Sequence, residues 1–396
     1  MSSPTAPAGR GPRLTVHVLM ADASGGGGVA RTVVNLANHL AQHHDVELIS
    51  VFQSRREPRF ELDPRVRRTV LHHVRPPHGW VGRLLGRFGT RLRPLPVDQG
   101  ANLFTDLLLR RKLRRLRGDV LVTTRPWLHL AAVTWAPPGI VTIGQDHLNF
   151  RRRMHNERQA ALMRAVIPRL DALAVLTRAD ARDYRQLAEG SRVRIVKMPN
   201  ALPWPVADEP APLEDKVVIS AGRLVPQKGF DRLVEAWAQV APRHPDWQVH
   251  IYGTGDGRRN LLRQARELGV EGQVQLKGYT TDLRTVLRTA SVYALTSRFE
   301  GFGMVLIEAM SQGVPPVAMN CPRGPGEIVH DGENGLLVRN RDVDGFAEAL
   351  ETLISDAELR RRLGRQAHQD ARDYEREPIG RRWETLFTEL LAARRG

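Results

Sequence analysis

Short apolar, β-branched runs alternate with helical stretches along this whole chain, and the alternation breaks once, at a proline-rich segment over residues 199–212, before starting afresh. Leu14 to Met20, Val46 to Val51, Val120 to Thr123, Ile140 to Ile143, Ala172 to Leu176 and Val193 to Val196 read as strands buried on both faces. Such strands belong in parallel sheets covered by helices, and the stretch from Val29 to Leu40 is one of those helices. Beyond the prolines the scheme repeats with Val217 to Ser220, Gln248 to Tyr252, Val274 to Leu276, Val292 to Leu295 and Pro316 to Met319. The pattern predicts an α/β protein of two doubly wound, Rossmann-like domains joined near residues 200–212. At 396 residues the chain exceeds what one compact core usually holds, and 41% hydrophobic residues suffice for two.

Composition narrows the function classes. The longest apolar runs are strand-sized, well short of the roughly 18 residues needed to span a bilayer, and the first thirteen residues lack the apolar stretch of a secretion signal. The single cysteine, Cys321, excludes an internal disulfide and a cysteine-based metal cage, which fits a cytoplasmic setting. The formal charge is +16, concentrated in the first half at Arg83, Arg87, Arg91 and Arg93, at Arg110, Arg111, Arg114, Arg115 and Arg117 on one predicted helix, and at Arg151, Arg152 and Arg153. Arginine so outnumbers lysine that genome base composition is one explanation; anionic lipid headgroups or a polyanionic acceptor are the other. Nucleic acid is disfavoured, because no zinc-finger spacing, RNP-like strand or helix-turn-helix accompanies the charge.

Ligands of doubly wound sheets bind at the carboxyl ends of strands, so the loops there carry the chemistry. In SRFEGFGMVLIEAMSQ, Ser297 to Gln312, Glu308 sits among Val305, Leu306, Ile307, Ala309 and Met310, where an unpaired carboxylate is costly. It needs a partner unless the helix face is solvated, and Glu300 with the amides of Gly301 to Met304 lies just upstream, at a helix start that favours anions. The glycines Gly25 to Gly28 open another helix and let a phosphate or sugar approach the backbone, although flexible loops use the same residues. Arg223 and Lys228, five residues apart after the first strand of the second half, suit a diphosphate or simply a charged surface. Asp146 and His147 follow a buried strand, where a histidine orients a sugar, transfers a proton or only packs. The turn-rich NCPRGPGEIVHDGENGLLV follows the strand ending at Met319, and Glu327 within it opens a short helix.

The order GGxxxR near the start, GRLxxxKG opening the second half, then EGFGMVLIEAM and CPRGPGEIVxDGxNGLLV, resembles the family 4 glycosyltransferases, retaining enzymes of the GT-B fold. The resemblance runs from about Leu14 to the last helix and is strongest in the second half. It implies two domains facing each other across a cleft: a tail at 1–13, an acceptor-binding domain at 14–200, a linker at 201–212, a nucleotide-sugar-binding domain at 213–375, and a helix at 376–396 packing back on the first domain.

It also implies roles. Arg223 and Lys228 match the pair that binds the donor diphosphate, Glu308 the acid that holds the ribose hydroxyls, and Glu300 the acid facing the donor sugar. Gly301, Phe302, Gly303 and Met304 contact sugar and phosphate through their peptide groups, Gly27 and Gly28 close over the diphosphate, and the base lies near Gly278 and Tyr279. His147 aligns with a first-domain histidine near the reacting sugar, with Asp146 close enough to compete for that role. The expected activity is metal-independent, retaining hexosyl transfer from a UDP-sugar to a cell-surface polymer or lipid-linked glycan, with no cofactor. The only Asp-x-Asp, at Asp342 to Asp344, reads as a helix cap. A small secondary metabolite as acceptor, and a non-catalytic sugar-nucleotide-binding protein, are the alternatives. The expected location is the cytoplasm or the inner face of the membrane.

Overall fold

A computed structural model describes residues 12–74, 84–92 and 101–395. The first half builds a seven-stranded parallel sheet from β1 (Thr15–Asp22), β2 (Asp45–Gln53), β3 (Arg67–His73), β4 (Val120–Thr123), β5 (Val141–Asp146), β6 (Ala172–Val175) and β7 (Arg194–Lys197), in the order β3-β2-β1-β4-β5-β6-β7. The second builds a six-stranded parallel sheet from β8 (Val217–Ala221), β9 (Gln248–Tyr252), β10 (Val274–Gly278), β11 (Val292–Leu295), β12 (Pro316–Asn320) and β13 (Leu336–Arg339), in the order β10-β9-β8-β11-β12-β13. Both orders turn back on themselves once, between β1 and β4 and between β8 and β11. Those two switch points are where a doubly wound sheet opens a crevice.

Each sheet is apolar on both faces because helices cover both. Val16, Val18 and Met20 of β1 pack with Val33, Ala37 and Leu40 of the helix Gly28–Leu40, whereas Leu19, between them, packs on the other side with Leu109 and Trp127. This division explains the unbroken hydrophobic runs that mark these strands in the sequence. The second sheet is built likewise, with Val218 and Trp237 on one face and Ile219 and Leu306 on the other.

Two strands escape sequence reading. β3, RRTVLHH, is an edge strand with no fully buried residue, and β13 lies inside the segment read as turns. The helix expected to carry the arginine cluster spans Leu103–Leu113, so Arg115 and Arg117 lie beyond it. Arg83, Arg93 and residues 1–11 lie outside the described residues, while Arg13, placed in the expected tail, pairs with Asp45 at 2.7 Å.

The connection between the sheets is strapped down rather than loose. Leu202 N donates to Tyr374 O at 2.7 Å, Ala207 N to Ser311 O at 3.0 Å and Ala211 N to Gln312 O at 2.7 Å, so the proline-rich segment lies against the second half. The last helix, Arg376–Arg395, inserts Ile379, Trp383, Leu386, Phe387 and Leu390 into the first half's core beside Val33 and Ala37. Asp342 caps the helix Val343–Ser355, accepting from Gly345 N at 2.9 Å.

Candidate functional site

The loops that follow β1, β5, β8, β11 and β12 meet between the two sheets. From the first half come the glycine loop with Arg31 and the segment Asp146 to Asn149; from the second come Gly222 to Gly229, Thr296 to Gly303 and Cys321 to Gly324.

Glu308 lies on the short helix Met304–Met310 and is fully buried. One carboxylate oxygen accepts from the Arg31 guanidinium, reaching across from the first half, and the other has no hydrogen-bond partner. Burial pushes its carboxyl above the ordinary range, against the opposing pull of Arg31 and Lys228. Buried oxygens are nearly always paired, so one left open between two domains marks a place for a donor group such as a ligand hydroxyl.

Glu300 is also buried but richly held. Its Oε1 accepts from Lys228 Nζ at 2.7 Å and from Ser297 Oγ at 2.6 Å, and Asn149 Nδ2 of the first half donates to its backbone carbonyl at 2.7 Å. Lys228 can approach because Gly229, at φ +65°, brings the loop after β8 onto Thr296; a Cβ there would stand 2.1 Å from the Thr296 carbonyl oxygen. Gly301 serves the same end between the domains, since its Cβ would meet His147 O at 2.7 Å. Arg223 is exposed and forms no ion pair among the described residues.

In the loop after β5 the two candidates differ in their contacts. Asp146 is committed: it accepts from Arg153 Nε at 3.1 Å, from Tyr184 Oη at 2.7 Å and from Leu148 N at 3.1 Å. His147 has both ring nitrogens shut off from solvent and without partners. That desolvation lowers its pKa to about 4, so at neutral pH it is an uncharged imidazole with one nitrogen able to donate a hydrogen bond and the other able to accept one.

Gly27 and Gly28 lie at the start of the helix Gly28–Leu40, exposed, with no acid in its first turn; a Cβ on either would meet nothing within 4 Å. The backbone there is open to an anion. Phe302 points away into the core against Tyr374, leaving only its peptide group for the cleft. Gly303, at φ +101°, turns the chain into the helix begun by Met304. Tyr279, just after β10, stacks on Arg59 of the first half at 4.8 Å.

Sequence reasoning missed Arg31, Ser297 and Asn149. Arg31 stood in view as the last residue of GGxxxR, but nothing local showed that it would reach Glu308. Asn149 carried only the signature of a helix cap, a role it also fills by accepting from Arg152 N at 2.8 Å.

Two parallel-sheet domains with their switch-point loops facing one another form the GT-B architecture of nucleotide-sugar-dependent glycosyltransferases. This chain belongs to the family 4 glycosyltransferases: residues 26–202 match the family described as Glycosyltransferase Family 4, and residues 206–370 that described as Glycosyl transferases group 1. It is 33% identical to an exopolysaccharide phosphotransferase of Streptomyces coelicolor over 93% of its own length, but spans only 40% of that relative. An uncharacterized glycosyltransferase of Haemophilus influenzae is 27% identical, with 91% of this chain and 96% of the relative aligned. The fold is also that of a TarM mutant from S. aureus solved with fondaparinux, α-GlcNAc-glycerol and UDP: TM-score 0.74, 16% identity, 94% of this chain and 99% of that one covered.

Proposed function

We propose that this protein transfers a hexosyl group from a UDP-sugar to a hydroxyl of a cell-surface polymer or lipid-linked glycan, with retention at the anomeric carbon and without a metal ion. The observation that carries the reading is the unpartnered carboxylate oxygen of buried Glu308, in the half that also presents exposed Arg223, without an ion pair among the described residues, opposite the bare glycine backbone of the first half. A ribose hydroxyl donating to Glu308 would satisfy it. The diphosphate then lies between Arg223, Lys228 and the backbone at Gly27 and Gly28, and the uracil reaches toward Gly278 and Tyr279.

Cleaving the bond between the anomeric carbon and the diphosphate leaves positive charge on the sugar ring and the electron pair on the leaving oxygen. Arg223, Lys228 and the peptide groups of Gly301 to Met304 stabilise that oxygen electrostatically, which is the larger part of such catalysis. The acceptor hydroxyl attacks from the face of departure, and a donor phosphate oxygen takes its proton. Glu300 orients the sugar through its hydroxyls; with Lys228 and Ser297 both on Oε1, it is held in place more than it is poised to attack. Neutral His147 hydrogen-bonds the sugar from the opposite wall. The acceptor class is supported by the polymer-linked relative and by the glycosyl-glycerol bound in the TarM crystal.

The test is UDP-sugar hydrolysis and UDP binding with and without EDTA, comparing wild type with Arg223→Ala. The variant loses both while keeping its melting temperature, because Arg223 is exposed and forms no ion pair among the described residues, and the chelator leaves wild-type turnover unchanged. Normal turnover in Arg223→Ala would remove the diphosphate role, and selective binding of GDP over UDP would change the donor.

A further inference from the structure

Arg31 joins three parts of the molecule at one buried acid. It stands in the first turn of the helix Gly28–Leu40, just past the bare glycines, where its N–H donates to Gly27 O at 3.2 Å. Its guanidinium leaves the first half altogether and donates to Glu308 Oε1. It also lies over Trp204 of the connecting segment, 6.0 Å from the ring centre, and Trp204 Nε1 donates to Ser311 Oγ at 2.9 Å. Ser311 Oγ donates in turn to the backbone carbonyl of Glu308 at 2.7 Å, so the helix, the connection and Glu308 form one chain of contacts.

Among the described residues no other cation bonds to the Glu308 carboxylate. Lys228, whose charge also favours its ionised form, is spent on Glu300 Oε1 at 2.7 Å. Tyr293 of β11 is kept uncharged by burial, its hydroxyl accepting from Ala221 N at 3.2 Å. Of the titratable groups on the elements packed around the helix Met304–Met310, His368 meets Ala207 O at 2.7 Å, Arg288 donates to Glu209 O at 3.0 Å, Glu327 pairs with Lys197, and Tyr374 lies against Phe302. A carboxylate shut from water and bonded to a single cation is held ionised by that cation. With the cation removed, burial favours the protonated acid.

We propose that Arg31 is a positioning residue for the donor: by closing onto Glu308 it keeps the carboxylate charged and turned so that its second oxygen takes a ribose hydroxyl. This role rests on the assignment of Glu308 to the ribose. The geometry divides the two oxygens, Oε1 to the first domain and Oε2 to the ligand, and a hydroxyl bonds a charged oxygen roughly twice as strongly as a neutral one. The cation comes from the same helix whose exposed glycine start receives the diphosphate. Ribose and diphosphate therefore both act on the helix Gly28–Leu40, and the nucleotide is held at full strength only with the two domains closed.

The experiment is calorimetric binding of UDP between about pH 5.5 and 8.5 to wild type, Arg31→Ala, Arg31→Lys, Glu308→Gln, and Arg31→Ala with Glu308→Gln, each with a melting curve. Arg31→Ala raises Kd by about tenfold or more at neutral pH. Its ratio to the wild-type Kd, in which the titration of UDP itself cancels, shrinks as pH rises, because the unpaired acid ionises again. Arg31→Lys restores most of the affinity and flattens the ratio. In the Glu308→Gln background Arg31→Ala changes nothing further, there being no charge to hold. If Arg31→Ala melts early, Arg31→Gln, which keeps an amide donor but no charge, carries the same test. A wild-type Kd for Arg31→Ala, a ratio that does not move with pH, or an equal loss from Arg31→Ala in the Glu308→Gln background overturns the proposal; the last would mean that Arg31 touches the nucleotide itself. Those failures leave the ribose assignment standing, which falls, and the role of Arg31 with it, if Glu308→Gln binds UDP as wild type does.

Discussion

Glu308 and the histidines show what burial does to single charges here. Glu308→Gln removes the acceptor proposed for the ribose but not the packing, and Arg31, with about a quarter of its side chain exposed at 27%, can turn to water once its partner is neutral. We expect the UDP-sugar KM to rise about tenfold or more while the melting temperature holds; an unchanged KM would place the nucleotide elsewhere. His129, shut in the first domain with Nδ1 2.6 Å from Thr123 Oγ1, has its pKa pushed down to about 3, and His147 to about 4, both by desolvation. Unfolded histidines titrate near 6.5, so below that pH the unfolded chain binds protons that the folded one refuses. Stability contributed by these residues is full above pH 6.5 and falls as pH drops toward 4, by about 1.4 kcal/mol per histidine for each pH unit. His129→Gln should flatten the decline in melting temperature between pH 6.5 and 4.5; parallel curves for variant and wild type would show that another group governs it.

At the scale of elements, the last helix makes the sharpest demand. Arg376–Arg395 crosses the helix Gly28–Leu40 so closely at Gly380 that a Cβ would stand 1.9 Å from His39 Nε2, and His39 is itself buried. Gly380→Ala must push the helices apart or displace the imidazole, at about 1–3 kcal/mol. A lowered melting temperature with unchanged UDP affinity is expected, since the contact lies behind the first sheet; a neutral melt would mean that the helix shifts freely. The main buried strands and the long helices were legible in the sequence because unbroken β-branched runs and glycine-bearing loops are local signals. β3 and β13 were not, for opposite reasons. RRTVLHH looks like surface because an edge strand is partly surface, and LLVR hides in a turn-rich stretch where only pairing with β12 makes it a strand.

At the scale of the whole molecule, the two domains hold one another through charged contacts. Arg323 of the second reaches Asp183 and, at 3.4 Å, Asp180 on the helix Arg178–Leu187 of the first, and Lys197 meets Glu327 at 2.9 Å. Arg323→Ala removes the cation facing Asp180, which is already pushed up by burial, so the ligand-free chain should open. A larger radius of gyration by X-ray scattering, reversed by UDP, is the expected result; an unchanged radius would mean that the other contacts suffice. The sequence by itself determined two doubly wound domains, the family, and a cast of residues at strand ends, because periodicity and motif order are properties of short stretches. Only the tertiary structure decided that Arg31 meets Glu308, that Lys228 leans on Glu300 and that Asp146 is spent on Arg153 and Tyr184 while the buried ring nitrogens of His147 are left without partners. Those pairings join residues far apart in the chain, and which partner a buried charge finds is set by the packing of whole domains.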